Sequence, residues 1–292
     1  MNADYNYFIQ DLGSLDQRVG ELRSLNGANY GAWGRVKSSE GESDQVEKDK
    51  YQHMQLGFDQ VIDTKKGQLF AGVTGSMTLG ETSNKQYSIN SKSYGVGLYG
   101  SYIANSGAYI DVLGKYVHHN NDYKLNIENM GETKGNHDSI QLETEVGYRF
   151  KPASTIYVEP QIKLVYGHVS EKSFEWVDEQ GSPMKMETPS YSMLVGRAGL
   201  HIGKFIDTTK NKWQIHMGVD YEKDLATNRQ NILTDRINSY YYDHEKDDRV
   251  LVSFGSSVNI KDRVSAGLDV ERSFGGRYNI KNSINFNLKY SF

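Results

Sequence analysis

The sequence predicts an all-β fold: a twelve-stranded antiparallel transmembrane β-barrel with an N-terminal α-helix in its lumen. Three observations predict it. Segment after segment alternates strictly between apolar and polar residues, short connections alternate with long ones, and the composition is rich in aromatic residues and glycine at low mean hydropathy. The last strand shows the alternation most plainly. Phe292, Tyr290, Leu288, Phe286 and Ile284 fall on one face, with Ser291, Lys289, Asn287, Asn285 and Ser283 between them.

Residues 2–25 carry a different period. Tyr5, Phe8, Leu12, Leu15, Val19 and Leu22 recur at alternating spacings of three and four, with Asp11, Asp16, Arg18, Glu21 and Arg23 around them. Asn26-Gly27 supplies a C-terminal stop. By periodicity alone such a stripe more often marks a short surface or coiled-coil helix, and a helix inside a polar pore is the sharper reading. On the sharper reading 1–27 are linker and lumen helix and 28–292 the barrel.

From Gly27 onward the period is two. Strand candidates lie at 28–38, 49–62, 67–80, 91–104, 107–126, 138–151, 154–169, 190–206, 212–224, 249–260, 263–274 and 278–292. Ile140, Leu142, Val146, Tyr148 and Phe150 share one face and Gln141, Glu143, Glu145 and Arg149 the other; Trp213, Ile215, Met217, Val219 and Tyr221 alternate with Gln214, His216, Asp220 and Glu222 in the same way. A wall with lipid outside and water inside requires this arrangement.

Short turns (Asp63–Lys66, Asn105-Ser106, Pro152-Ala153, Asp207–Asn211, Lys261-Asp262) alternate with longer polar segments (39–48, 81–90, 127–137, 170–189, 225–248). Only Gly275-Gly276-Arg277 is short where a long link is due. Short periplasmic turns and long external loops are the outer-membrane pattern. The runs exceed the ~9–11 residues that span a bilayer, so their outer ends should project as a collar. Tyr109, Tyr116, Tyr157, Tyr166, Trp213 and Tyr221 are candidates for interfacial girdles, and Trp176 falls in a loop. Pairing the last strand with the first removes both edges.

Composition narrows the class. With Tyr 21, Phe 10 and Gly 29 but only Pro 4 among 292 residues, disorder is not indicated, although the mean hydropathy is −0.66. No stretch approaches the ~20 apolar residues of a membrane helix. The absence of cysteine removes disulfides and thiolate metal sites. A net charge of −4 gives no basic surplus for nucleic acid. Met1-Asn2-Ala3-Asp4 does not open a secretory signal, so an exported protein would carry its signal further upstream.

Several blocks carry a family resemblance: G-E-L-R-S-L-N-G (20–27) followed by A-W-G-R-V, G-A-Y-I-D-V-L-G-K-Y-V-H-H (107–119), E-P-Q-I-K-L-V-Y-G (159–167), L-V-G-R-A-G (194–199) and the closing E-R-S-F-G-G-R-Y-N with Y-S-F. The chain resembles the C-terminal translocator domain of type V secretion autotransporters, in the subgroup with serine-protease passengers of the IgA-protease and adhesion-and-penetration types. The resemblance implies a helix-threaded barrel in the outer membrane of a Gram-negative bacterium. It also implies an N-terminal passenger carried to the cell surface with help from the barrel assembly machinery, and the C-terminal Tyr290 and Phe292 resemble the signal that this machinery recognises; no cofactor is expected.

Members that release their passenger by cleavage inside the barrel use an asparagine pair on the lumen helix, assisted by acidic groups and an arginine of the wall. Alignment on the helix block puts Gly13-Ser14 at that pair. Glycine has no side chain to cyclise, so the nucleophile is missing. Asp111 and Arg272 match wall positions, whereas Lys163 stands where cleaving members have an acid. A lumenal Arg272, which shares parity with Val264, Ala266, Leu268 and Val270, requires a bulge or register change near Gly275-Gly276. The implied behaviour is translocation without self-cleavage.

The remaining constellations are weaker. His118-His119 are adjacent strand residues and point to opposite faces, which argues against a metal site. Glu143, Glu145 and Glu159 could form an acid–base cluster, but a polar lumen needs such groups paired with Lys115, Arg149, Lys163 or Arg197. No serine-nucleophile motif is present. The acidic stretch Glu40–Asp49 and the Tyr240–Asp248 segment read as solvated external loops. The expectation is therefore a monomeric translocator in contact with outer-membrane lipid, with Asp111, Lys115, Lys163, Arg197 and Arg272 facing the helix and Arg18 and Arg23 as their partners. A barrel enzyme, either a surface protease or a phospholipase, is the alternative, and a soluble sandwich the third.

Overall fold

The structure, a computed structural model, describes residues 3–11, 30–43, 46–126, 131–177, 183–209, 211–260 and 263–292. Helix α1 (Ala3–Asp11) precedes β1 (Tyr30–Ser43), β2 (Glu47–Thr64), β3 (Gly67–Ser83), β4 (Tyr87–Ala104), β5 (Ala108–Leu125) and β6 (Glu132–Tyr148). Next come β7 (Phe150–Ala153), β8 (Ile156–Val169), β9 (Lys172–Val177), β10 (Pro183–Thr188), β11 (Tyr191–Asp207) and β12 (Asn211–Thr227). The chain ends with β13 (Gln230–Thr234), β14 (Ser239–Asp243), β15 (Asp248–Ile260), β16 (Val264–Phe274) and β17 (Tyr278–Ser291).

Twelve of these strands form one closed antiparallel ring in the order β1-β2-β3-β4-β5-β6-β8-β11-β12-β15-β16-β17. The ring closes by a ladder from Gly31↔Ser291 to Ser43↔Tyr278, and β8 pairs with β11 from Tyr191↔Val169 to Lys204↔Ile156. Closure leaves no unpaired wall edge. The apolar parity faces outward, as at Ile140, Leu142, Met217 and Val219, while Gln141, Glu143, Glu145, Gln214, Asp220 and Glu222 are buried inside.

The strands run further out than the sequence candidates. β2 and β4 are 18 residues each, well beyond the ~9–11 that span a bilayer. Residues 39–43, 47–48, 81–83, 87–90 and 132–137 are therefore strand, and the β1–β2 ladder runs out to Ser43↔Glu47. They read as loops because a collar above the membrane has water outside and a polar lumen inside, so the apolar parity disappears. Glu47 and Asp49, expected on a solvated loop, point inward and are buried.

The two longest connections are also structured. β9, β10, β13 and β14 form a separate four-stranded sheet in the order β14-β13-β10-β9, joined by the pairs Lys185↔Thr234 to Glu187↔Ile232. Asp235 accepts hydrogen bonds from the amides of Ile237 and Asn238 in the β13–β14 turn; these hold its carboxyl below the usual range. Trp176 is thus a strand residue, not a loop one. With Phe174 and Met186 it packs on Tyr51, Tyr87 and Tyr123 of the wall and on Tyr7 of α1. Six-residue strands are too short for alternation to announce them in so polar a segment.

Two girdle assignments are corrected. Tyr116, Tyr166, Trp213 and Tyr221 face outward, but Tyr109 and Tyr157 are buried in the lumen. They share parity with Asp111 and Glu159: the Tyr109 hydroxyl donates to Glu145 Oε1 at 2.9 Å, and Gln214 Nε2 donates to the Tyr157 hydroxyl at 2.6 Å.

The lipid-facing parity makes a direct prediction. Leu56, near the middle of β2, is 58% exposed on the apolar face. Leu56→Arg should destabilise the barrel by about 2–4 kcal/mol in denaturant titrations of the protein refolded in phospholipid vesicles. Gln55→Arg, which stays on the polar side, should cost much less.

Candidate functional site

α1 lies inside the barrel, in the half nearer the long connections. It descends along β2, with Asn6 against Glu47 and Asp49 and Asp11 against Tyr51 and His53. The sequence pattern suggested one apolar stripe, yet Asn6 and Gln10 are as fully buried as Ile9. A helix enclosed by a wall has no solvent face, so its polar side chains must find partners in that wall.

They do so turn by turn. Asn6 Nδ2 donates to Glu47 Oε1 at 2.9 Å and to Asp49 Oδ2 at 2.7 Å, and the hydroxyls of Tyr7 and Thr82 are 2.9 Å apart. Arg249 donates to the Tyr5 hydroxyl at 3.4 Å, and the Tyr5 ring lies 4.6 Å from that of His244. Lower down, Lys115 Nζ donates to Asp11 Oδ2 at 2.6 Å and the Tyr51 hydroxyl to Asp11 Oδ1 at 3.1 Å. Lys37 donates to the Gln10 carbonyl and Ser39 to the Gln10 side-chain oxygen, while Gln10 Nε2 donates to the Tyr278 hydroxyl.

This distribution of charge complements the helix. The carboxylates of Glu47 and Asp49 flank its first turn and the ammonium groups of Lys37 and Lys115 its last, the arrangement that favours a helix dipole. Apolar contact adds to it: Tyr5 and Ile9 share a cluster with Val165, Met193, Leu251 and Ile280. Two wall glycines make room for aromatic rings of α1, since a Cβ at Gly80 would collide with Tyr7 and one at Gly167 with Phe8.

The wall residues singled out from the sequence divide into three groups. Lys115 grips the helix through Asp11. Asp111, Lys163 and Arg197 face the lumen, and among the described residues Ser101 donates to Asp111, Lys163 lies 3.3 Å from Glu145 and 3.9 Å from Glu143, and Arg197 lies 2.6 Å from Glu222. Arg272 is on the outer face, 5.4 Å from the Phe274 ring. The β15–β16 ladder runs unbroken from Val250↔Phe274 to Ile260↔Val264, so nothing turns Arg272 inward. The irregularity falls instead in the β1–β17 ladder, between Glu40 and Gly41.

Gly13, Ser14, Arg18 and Arg23 lie outside the described residues. Tyr290 and Phe292 are exposed on the outer surface with ring centroids 5.4 Å apart. His118 pairs outside with Asp138 at 2.7 Å, whereas His119 faces inward and stacks on His137 at 4.6 Å. Glu159 is tied to Arg149, and Glu143 accepts from Gln141 at 2.7 Å; these carboxylates serve wall pairing. Among the described residues no group of three or more His, Asp or Glu could hold a metal ion.

The helix partners Lys37, Glu47, Asp49 and Tyr278 were not singled out from the sequence, and neither were Asn6 and Gln10. Parity was the available signal for Lys37, Glu47 and Asp49, since strand residues two apart share a face.

A family model described as the autotransporter beta-domain matches residues 27–271. The chain belongs to this family. Serine protease EatA of Escherichia coli O78:H11 is 37% identical over 292 residues, covering 100% of the chain and 21% of its own length. Serine protease EspP of Escherichia coli is 38% identical over 291 residues, with 100% and 22% covered. The chain therefore spans about a fifth of the length of these curated relatives. Among solved structures, the translocator domain of autotransporter NalP from Neisseria meningitidis superposes with a TM-score of 0.76 at 16% identity, covering 99% of this chain and 98% of that one. The β domain of the Bordetella autotransporter BrkA gives 0.75 at 19% identity, covering 90% and 100%. The fold is that of an autotransporter translocator, a barrel of the outer membrane.

The Asp11–Lys115 pair offers a test of helix docking. Lys115→Met would leave the Asp11 carboxylate enclosed without its nearest cation, a loss of about 3 kcal/mol. Planar-bilayer recordings should show more frequent openings for this variant, and adding Asp11→Asn should recover part of the blocked state.

Proposed function

We propose that this domain exports an N-terminal passenger to the cell surface through the barrel and afterwards holds the trailing helix as a plug. The observation that carries the reading is the enclosure of α1 by the barrel wall. α1 sits in the outer half of the lumen, while β1 begins at Tyr30 on the opposite rim, beside Ser291 and the short turns. The described helix lies within the ring of strands. A polar, charged lumen holds it by hydrogen bonds and ion pairs without exposing backbone to lipid.

The passenger is a serine protease in this reading, by analogy with the relatives named as such. The barrel works as a monomer, and the barrel assembly machinery inserts it with Tyr290 and Phe292 on the closing strand as the signal. Residues 1–27 act as linker and lumen helix and 28–292 as the translocator. Gly13 offers no nucleophilic side chain, and Lys163 is engaged with Glu145 and Glu143, so the passenger leaves by proteolysis from outside and not by cleavage within the barrel. Of the residues nominated as wall contacts, Lys115 holds the helix through Asp11, and Asp111, Lys163 and Arg197 face the plug from the lumen wall.

Deleting residues 1–25 should raise single-channel conductance in planar bilayers severalfold. Conductance equal to that of the intact chain would remove the plug from the account.

A further inference from the structure

The upper end of β17 is paired unequally. Its ladder with β16 stops at Glu271↔Ser283, whereas its ladder with β1 continues past a bulge to Ser43↔Tyr278. On the β16 side, residues 277–280 are held by side chains: the Ile280 amide donates to Ser273 Oγ at 2.8 Å, and the amides of Arg277 and Tyr278 donate to Asp247 at 2.7 and 3.0 Å. The bulge reverses parity. Ser283, Asn285 and Asn287 face inward below it, and Tyr278 and Ile280 face inward above it. That reversal turns Tyr278 and Ile280 toward α1.

We infer that α1 is an internal clamp on the closure of the barrel, with Gln10 as the bridging residue between the first and last strands. The Gln10 side chain accepts from Ser39 of β1 and donates to Tyr278 of β17, and its carbonyl accepts from Lys37 of β1. One residue of the helix thereby joins the two strands that close the ring, where β17 lacks its β16 ladder. Ile9 supports the same stretch from within, in one apolar cluster with Ile280 of β17 and Leu251 of β15. It spans the strand whose pairing has ended. The clamp gives the helix a role separate from blocking the pore: a barrel closed around its linker is held shut by that linker.

The chain contains no cysteine, so the seam can be locked selectively. Ser38 and Ile284 are directly paired across β1 and β17 with side chains outside, and Gln52 and Leu79 are paired in the same way across β2 and β3. In the refolded 292-residue chain, Gln10→Ala should lower the midpoint of the heat-modifiable gel shift by roughly 5 °C. An oxidised Ser38→Cys/Ile284→Cys bridge should abolish that difference, and the Gln52→Cys/Leu79→Cys bridge should leave it intact. Should Gln10→Ala not refold, Tyr278→Phe removes only the phenol oxygen and is read in the same way. An equal effect of Gln10→Ala in both bridged backgrounds, or none in the unbridged chain, would overturn the inference. The readout is barrel stability, so it is separable from failure of export or of pore blocking.

Discussion

Backbone pairing of β1 with β17 is the interaction on which the other features depend. A strand in lipid cannot leave its amides and carbonyls unpaired, and an open sheet would have two such edges. Once Gly31 lies opposite Ser291 and Ser43 opposite Tyr278, each wall strand has two neighbours and one parity is committed to lipid. The other parity is then committed to a narrow interior, which explains how so hydrophilic a sequence can be a membrane protein. Within the wall, side chains such as Gln141, Glu143, Glu145, Asp220 and Glu222 are turned inward.

That interior must in turn be satisfied. Pairs within the wall, such as Arg197 with Glu222 and Lys163 with Glu145, neutralise part of the lumen. α1 completes it in the outer half, bringing Asn6 to two carboxylates and Asp11 to Lys115. A helix as polar as this one would gain little from an apolar groove. It suits a polar tube because burial there exchanges water for fixed hydrogen bonds, and an unmatched group would be expensive. The same reasoning makes the helix part of the architecture, since the upper end of β17 turns its side chains toward it.

Much of the wall was legible in the sequence because lipid on one side and water on the other impose a period of two, which survives any loop chemistry. Ile140 to Phe150 and Trp213 to Tyr221 needed no tertiary information. The signal failed where the physical contrast failed. In the collar both faces are polar, so β1, β2 and β6 extended unannounced and Glu47 and Asp49 passed for loop residues. The short strands of the outer sheet hid Trp176 for the same reason. Tyr109 and Tyr157 were misassigned because tyrosine is at home both at a membrane interface and in a polar lumen, and only parity distinguishes the two. Arg272 obeys its parity, and the bulge that a lumenal position required belongs to β1 and β17. A register shift of one residue lies below what an alternation pattern can reveal. The partners of α1 were the least legible, since they come from several strands that only the closed ring brings together.

The plug and the clamp both depend on the residues of α1 being enclosed by the wall and held there. Amide hydrogen exchange across residues 5–11, measured in the lipid-reconstituted barrel, addresses this most directly. The account predicts protection comparable to that of the β2 and β5 amides, persisting for hours, because the helix is sealed among paired side chains. Complete exchange within seconds at these positions, with the wall still protected, would contradict it.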